Sequence, residues 1–236
     1  MISAERFSQI AGSYWSAQLP RLSHFVRTSN TTARQYAEPV AMQSSHDRHA
    51  VVTETAFVMW KAEISGVTVD PAEAFAEASR RLSVVWDQAD FSPTIEPQEA
   101  NDATALLGNI RRLITFTGLQ DVVAEPPLLG CGVVSGGTPD FQGRLWKADQ
   151  ERLVVGELKT VDRNFRSVDY RQVVAYVVLQ YAATSEVFDF LWLANPLRGT
   201  LVSIDVDSFF WLTRSQSSDE ACAEIAYDWA APGVSP

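Results

Sequence analysis

The chain has only two cysteines in 236 residues, Cys131 and Cys222, and they lie far apart. That excludes a disulfide framework and fits a reducing, cytoplasmic setting. No stretch approaches 18 uninterrupted apolar residues, so neither a transmembrane helix nor a membrane partner is expected. The opening residues, Met1 to Arg6, lack a basic region followed by an apolar core, and no secretory signal is expected. There is no internal repeat, low-complexity tract, phosphate-binding glycine loop or zinc-ligand spacing. Positive charge is also scarce: 19 Lys and Arg face 29 Asp and Glu, for a net charge of −10. Such a chain is on balance a poor electrostatic match for a phosphate backbone. Its acidic surface suits solubility or a protein partner.

What is present is an ordinary globular composition, 46% apolar and 20% charged, long enough for one sizeable core. The charge is uneven. Residues 51–130 hold five basic and twelve acidic residues, and residues 201–236 hold one Arg against six acids. Residues 131–200 hold eight of each.

Within that neutral segment, Ser135 to Tyr181 carries the chemistry. Pro139-Asp140 ends a glycine-rich approach, and Glu157 follows seventeen residues later in Gly156-Glu157-Leu158-Lys159. The run Leu153-Val154-Val155 before it reads as a buried strand. Side chains alternate along a strand, so Glu157 and Lys159 share a face and Leu158 points away. Residues 143–150 (GRLWKADQ) read as a polar hairpin connection. Residues 138–141 then pair antiparallel with the Glu157 strand, and Asp140 approaches Glu157. Two carboxylates at close range repel unless one protonates or a cation sits between them. Two hard oxygen ligands suit Mg²⁺, and the neighbouring lysine can orient a water. Gln172 and Tyr176 fall four apart on one helix face.

Each feature also has a plainer reading. Pro-Asp is commonly a turn, Glu157 and Lys159 an exposed cross-strand pair, Gln172 and Tyr176 a surface hydrogen bond. Val154, Val155 and Leu158 argue instead for a central strand, where charges need a reason to exist.

Taken in order, the three motifs resemble the PD-(D/E)xK nuclease superfamily, and within it the RecB-like and lambda-exonuclease-like branch. Pro139-Asp140 is similar to the first motif, Glu157-Leu158-Lys159 to the second, and the Gln-x-x-x-Tyr of Gln172 to Tyr176 to the third. The resemblance runs from Leu128 to Asn195. It implies an α/β, restriction-endonuclease-like core: a mixed central β-sheet flanked by helices, with an N-terminal helical elaboration. Residues 1–118 would be the helical region and 119–236 the nuclease core, in one compact domain. The implied activity is a Mg²⁺-dependent deoxyribonuclease, with Mn²⁺ able to substitute, acting on DNA in repair, recombination or defence against foreign DNA. Asp140 and Glu157 would hold the metal with the Leu158 carbonyl and a glutamate from a preceding helix. Glu54 is the candidate for that glutamate and Glu63 its rival. Lys159 would position the attacking water, and Gln172 and Tyr176 would steady the lysine or the DNA backbone. Arg163, Arg166 and Arg171 would form a phosphate-facing strip. His49 precedes Glu54 by five residues where some relatives have four, and is left outside the site. Two cysteines cannot supply the four-cysteine iron–sulfur cluster of other relatives. The main alternative is a non-catalytic module that keeps the nuclease fold and binds protein or nucleic acid. A weaker one is a DNA mimic.

For the remaining elements, residues 3–28 predict one or two helices divided by Pro20, with a core-facing stripe of Phe7, Ile10, Tyr14, Trp15, Leu19, Leu22 and Phe25. Residues 28–48 read as a loop and 49–64 as a helix. Asp70-Pro71 starts a helix that runs to about Trp86, and a second spans Pro97 to Thr117 and stops at Gly118. These two look like an insertion between the Glu54 helix and the sheet. Residues 119–129 predict a first strand, with Pro126-Pro127 at its edge. After the third motif, 188–193 and 201–206 predict strands and 208–229 a mostly helical end.

Overall fold

Caps and apolar periodicity set the elements in the computed structural model, which describes residues 1–85 and 94–231. Three short helices, α1 (Ala4–Ile10), α2 (Gly12–Gln18) and α3 (Leu22–Thr31), lead to a two-residue strand, β1 (Arg34–Gln35). Three longer helices follow, α4 (His49–Ile64), α5 (Pro71–Val85) and α6 (Pro97–Thr117). Next come β2 (Gln120–Ala124), β3 (Leu128–Cys131), β4 (Val134–Gly137), β5 (Phe141–Lys147) and β6 (Gln150–Leu158). The chain closes with α7 (Ser167–Thr184), β7 (Phe190–Asn195), β8 (Thr200–Asp205), α8 (Val206–Arg214) and α9 (Ser218–Ala230).

Six strands make one mixed sheet in the order β1-β8-β7-β6-β5-β2. Among the described residues, β6 and β7 are the one parallel pair of this sheet, joined through α7; its other pairs are antiparallel. β6 is therefore a central strand, and alternation sends its residues into two cores. Val155 joins the core on the α7 face, with Leu191, Leu193 and Val202. Val154 joins the opposite core, where α4 and α6 contribute Trp60, Leu106, Ile110 and Leu113. α7 is apolar on every side: Val173 to Leu179 are all fully buried. It lies between the sheet and an outer layer of α1, α9 and the small β3–β4 ribbon, which is the setting that an all-apolar helix requires.

Several expectations change. Residues 143–150 are not a connection, because β5 and β6 pair through Lys147 opposite Gln150. The turn is only Ala148-Asp149, both at positive φ (50° and 60°), as a tight hairpin with native twist demands. Residues 119–129 divide into β2 and β3, in different sheets, on either side of Pro126-Pro127. Residues 3–28 form three helices, and the last continues to Thr31. The expected loop at 28–48 includes β1, which pairs with β8. α6 is no appendage: Leu106, Leu107 and Ile110 cover the sheet. It starts with Pro97 and ends at Gly118 in the left-handed region (φ 69°). α5 packs on α4 through Phe75 and Ala78, capped by Asp70, whose Oδ1 accepts the Ala72 N–H at 2.8 Å. The expected end of that helix at Trp86 lies outside the described residues. Among the described residues, no helix is long and apolar enough to cross a membrane.

One contact fixes the register that matters. Phe141 faces Gly156 across β5 and β6, and its ring lies edge-to-face with Trp60 and Trp192, centroids 6.0 and 6.2 Å apart. A Cβ on Gly156 would sit 2.0 Å from the Phe141 ring. Gly156→Ala should therefore destabilise the protein by about 1–3 kcal/mol through overpacking. Thermal denaturation should show a drop of several degrees, at ~2–4 °C per kcal/mol for a chain of this size.

Candidate active site

Because Phe141 pairs with Gly156, the residues after Gly156 come alongside Asp140. The Leu158 N–H donates to Asp140 Oδ2 at 2.6 Å, and the Asp140 carbonyl accepts the Glu125 N–H at 3.0 Å. Glu157 and Lys159 project to the α7 face, as alternation requires. There Lys159 Nζ donates to Glu157 Oε1 at 2.7 Å and to Gln172 Oε1 at 2.8 Å. Gln172 Nε2 donates to Glu157 Oε1 and to the Tyr176 hydroxyl, both at 2.8 Å. The Tyr176 hydroxyl donates to Glu5 Oε1 at 2.8 Å, which also accepts the Thr138 N–H at 3.0 Å.

The structure thus brings Asp140, Glu157, Lys159, Gln172 and Tyr176 into one corner and adds Glu5 from α1. Glu157, Gln172 and Tyr176 are buried. Tyr176 owes its place to Gly137 of β4, where a Cβ would come within 2.8 Å of its ring. No sequence signal marked Glu5. It sits in the first turn of a helix capped by Ser3, where an acid is already favoured by the helix dipole.

The electrostatics follow from burial. Burial, then the Glu157 charge, holds the Asp140 carboxyl well above the usual range, and Lys159 only partly offsets this. Burial also raises Glu157, against the pull of Lys159. For Lys159, burial disfavours the charge, but Glu157 and Asp140 outweigh it and the ammonium is held more firmly than usual. Burial, with the Glu157 and Glu5 charges, pushes the Tyr176 phenol far up, so it remains a donor.

Glu157 Oε2 is buried without a hydrogen-bond partner. A bare carboxylate oxygen in a dry site is costly and is a natural ligand for a hard cation. Asp140 supplies a second carboxylate, so the donor chemistry fits Mg²⁺ at these two residues. Among the described residues, no three His, Cys, Asp or Glu side chains group to hold a metal.

Glu54 is engaged elsewhere. Its Oε1 accepts from Arg81 of α5 at 2.5 Å, and Arg81 also binds Glu125, which Lys61 holds from the other side. The Glu54 charge reaches Asp140 as a minor contribution to its shift. Glu63 forms an ion pair with Arg111, outside this network. His49 binds the Ser44 carbonyl through Nε2 at 3.1 Å. The three arginines have different settings. Arg163 pairs with Asp169 at 2.7 Å, and Arg166 is exposed at the start of α7. Arg171 is half-buried beside Gly12, with its Nε unpartnered.

The chain matches no protein-family model and no curated protein, so the functional reading rests on this geometry.

The raised carboxyls set the pH response of the metal-free protein. A carboxyl whose folded pKa lies above its unfolded one favours folding at low pH and loses that contribution as pH rises through the folded value. Asp140→Asn keeps an acceptor for Leu158 and removes the charge. It should raise the metal-free melting temperature at pH 8 by a few degrees, at ~2–4 °C per kcal/mol. The gain should shrink toward pH 4, where Asp140 of the wild type is itself protonated. Melting curves of both proteins in chelator across that range test this.

Proposed function

We propose that the protein is a Mg²⁺-dependent deoxyribonuclease with a PD-(D/E)xK-type core. The observation that carries the reading is the cluster of buried Glu157 with half-buried Asp140 and Lys159, in which Glu157 Oε2 has no partner. Buried carboxylates at strand ends, with strongly shifted protonation and a fixed lysine, mark a functional site on physical grounds. The order helix, β-meander, helix, β-hairpin also agrees with such a core.

Asp140 and Glu157, with the Leu158 carbonyl, would hold the metal, which when bound supplies an activated water and charge neutralisation at the phosphate. Lys159 stays protonated, so it serves as a hydrogen-bond donor and positive charge rather than a base. It orients the attacking water or stabilises charge developing on the phosphoryl oxygens. Gln172 locks Lys159 and Glu157 into one geometry, and Tyr176 and Glu5 lock Gln172. These three are positioning residues.

Among the described residues, no three His, Cys, Asp or Glu side chains are placed to hold a metal, which favours a second reading: a non-catalytic module with the same fold. Incubation of wild-type protein with linear, circular and single-stranded DNA, with Mg²⁺ or chelator, separates the two.

Under the nuclease reading, Asp140→Ala and Glu157→Ala should abolish Mg²⁺-dependent cleavage and lose the Mg²⁺-induced rise in melting temperature. Lys159→Gln should keep that rise while cleavage falls about 10²–10³-fold. Glu54→Gln should cost far less than Glu157→Ala, since Arg81 already occupies Glu54. A wild-type melt indifferent to Mg²⁺, both alone and with a short duplex in Ca²⁺, would sink the nuclease reading.

A further inference from the structure

A small cavity lies one strand away from Lys159. β6 and β7 are parallel, with Leu158 opposite Ala194, and the Lys159 N–H donates to the Ala194 carbonyl at 2.8 Å. Asn195 therefore stands beside Lys159 on the α7 face, one strand spacing of about 4.8 Å across. Beyond it is a cavity of about 130 Å³ whose polar lining is Asn30, Arg163, Asn164, Asn195, Arg198 and Thr200. Sites that enclose an organic ligand run to roughly 300–1,000 Å³, so this one takes a single small group.

The lining is rich in donors. Asn30 and Asn195 are structural posts. Asn30 donates to the Val26 and Phe165 carbonyls and accepts the Phe165 N–H. Asn195 donates to the Val161 carbonyl and accepts the Arg198 N–H. Asn30 ties α3 to the loop before α7, and Asn195 ties that loop to the β7–β8 turn. Arg198 gives one side-chain hydrogen bond, to Asn164 Oδ1 at 2.7 Å. That uses the acceptor of Asn164 and leaves its amide N–H groups, with most of the Arg198 guanidinium, to spare. Arg163 is anchored by Asp169 and by the Asn164 carbonyl. No carboxylate is among the cavity's described lining residues. Asp169 lies buried behind Arg163, and Asp162 is exposed. Asp169 already balances the Arg163 charge, so in a chain of net charge −10 it is Arg198, beside amide donors and with no carboxylate in the described lining, that matches this pocket to an anion. Planar guanidinium and amide donors suit the oxygens of a phosphate.

We propose that this cavity is a phosphate subsite, taking one backbone phosphate of the strand whose scissile bond lies at Asp140 and Glu157. The assignment rests on the nuclease reading. One to two strand spacings, about 5–10 Å, correspond to a phosphate a few nucleotides along, at ~3.4 Å of axis per nucleotide.

The test has a metal-free arm and a DNA arm. Inorganic phosphate titrated into the metal-free, full-length protein should shift the arginine side-chain NMR signals of Arg163 and Arg198 to saturation, and Arg198→Gln should lose the response. Binding of a short single-stranded oligonucleotide in Ca²⁺ should weaken about tenfold in Arg198→Gln. The slope of log K against log salt should fall by ~0.7, and Arg198→Lys should recover part of both. Asn164→Ala, which leaves both arginines in place, should weaken binding in the same direction if Arg198→Gln does not fold. No saturable response to phosphate, or unchanged DNA affinity and salt slope in the folded variants, overturns the subsite. A phosphate response with unchanged DNA affinity also overturns it, reassigning the cavity to a free phosphate or phosphorylated small molecule. If wild type binds DNA through Arg198 but fails to cleave with Mg²⁺, the nuclease reading falls and the phosphate site stands.

Discussion

Two carboxylates share a corner at the end of a central strand, and one lysine is their nearest counter-charge. Burying an ionised acid costs several kcal/mol unless it is paired and hydrogen-bonded. Lys159 and Gln172 both meet Glu157 at its Oε1, and the other oxygen is left bare. An arrangement of this kind is stable only if the surrounding structure over-determines it. Each polar group in the chain from Lys159 to Glu5 has its neighbour fixed, so losing one member loosens the rest.

The surrounding layers supply that determination. α7 presents Gln172 and Tyr176 from a helix that is otherwise solid core, so neither side chain has another place to go. Phe141 against Gly156 sets how far along β6 the Asp140 side chain falls. On the other face of the sheet, Arg81, Lys61, Glu54 and Glu125 form a second, separately balanced charge cluster. It borders Asp140 through the backbone of Glu125. The acids of these two clusters thus have distinct partners.

Much of the site was legible because its signals are local. Alternation along Val154 to Lys159 is enough to put Glu157 and Lys159 on one face, and four-residue spacing puts Tyr176 under Gln172. The cap at Asp70 and the stop at Gly118 are likewise decided within a few residues. What escaped reading is decided by partners remote in sequence. Glu5 meets Tyr176 only because α1 lies on α7, and Glu54 meets Arg81 only because α5 packs on α4. Residues 143–150 look like a loop by composition, yet a two-residue turn with positive φ lets both strands extend through them. The prolines at 126 and 127 signalled an edge but not the departure of the following strand into its own ribbon.

The contact between Tyr176 and Glu5 spans 171 residues of chain. During synthesis at about 5–20 residues per second, α1 emerges roughly 10–35 s before the helix it must dock on. Until then the first residues have no sheet, no α7 and no hydroxyl to bind. The corner is completed only when most of the polypeptide has left the ribosome, so a nascent chain that ends before α7 lacks it altogether.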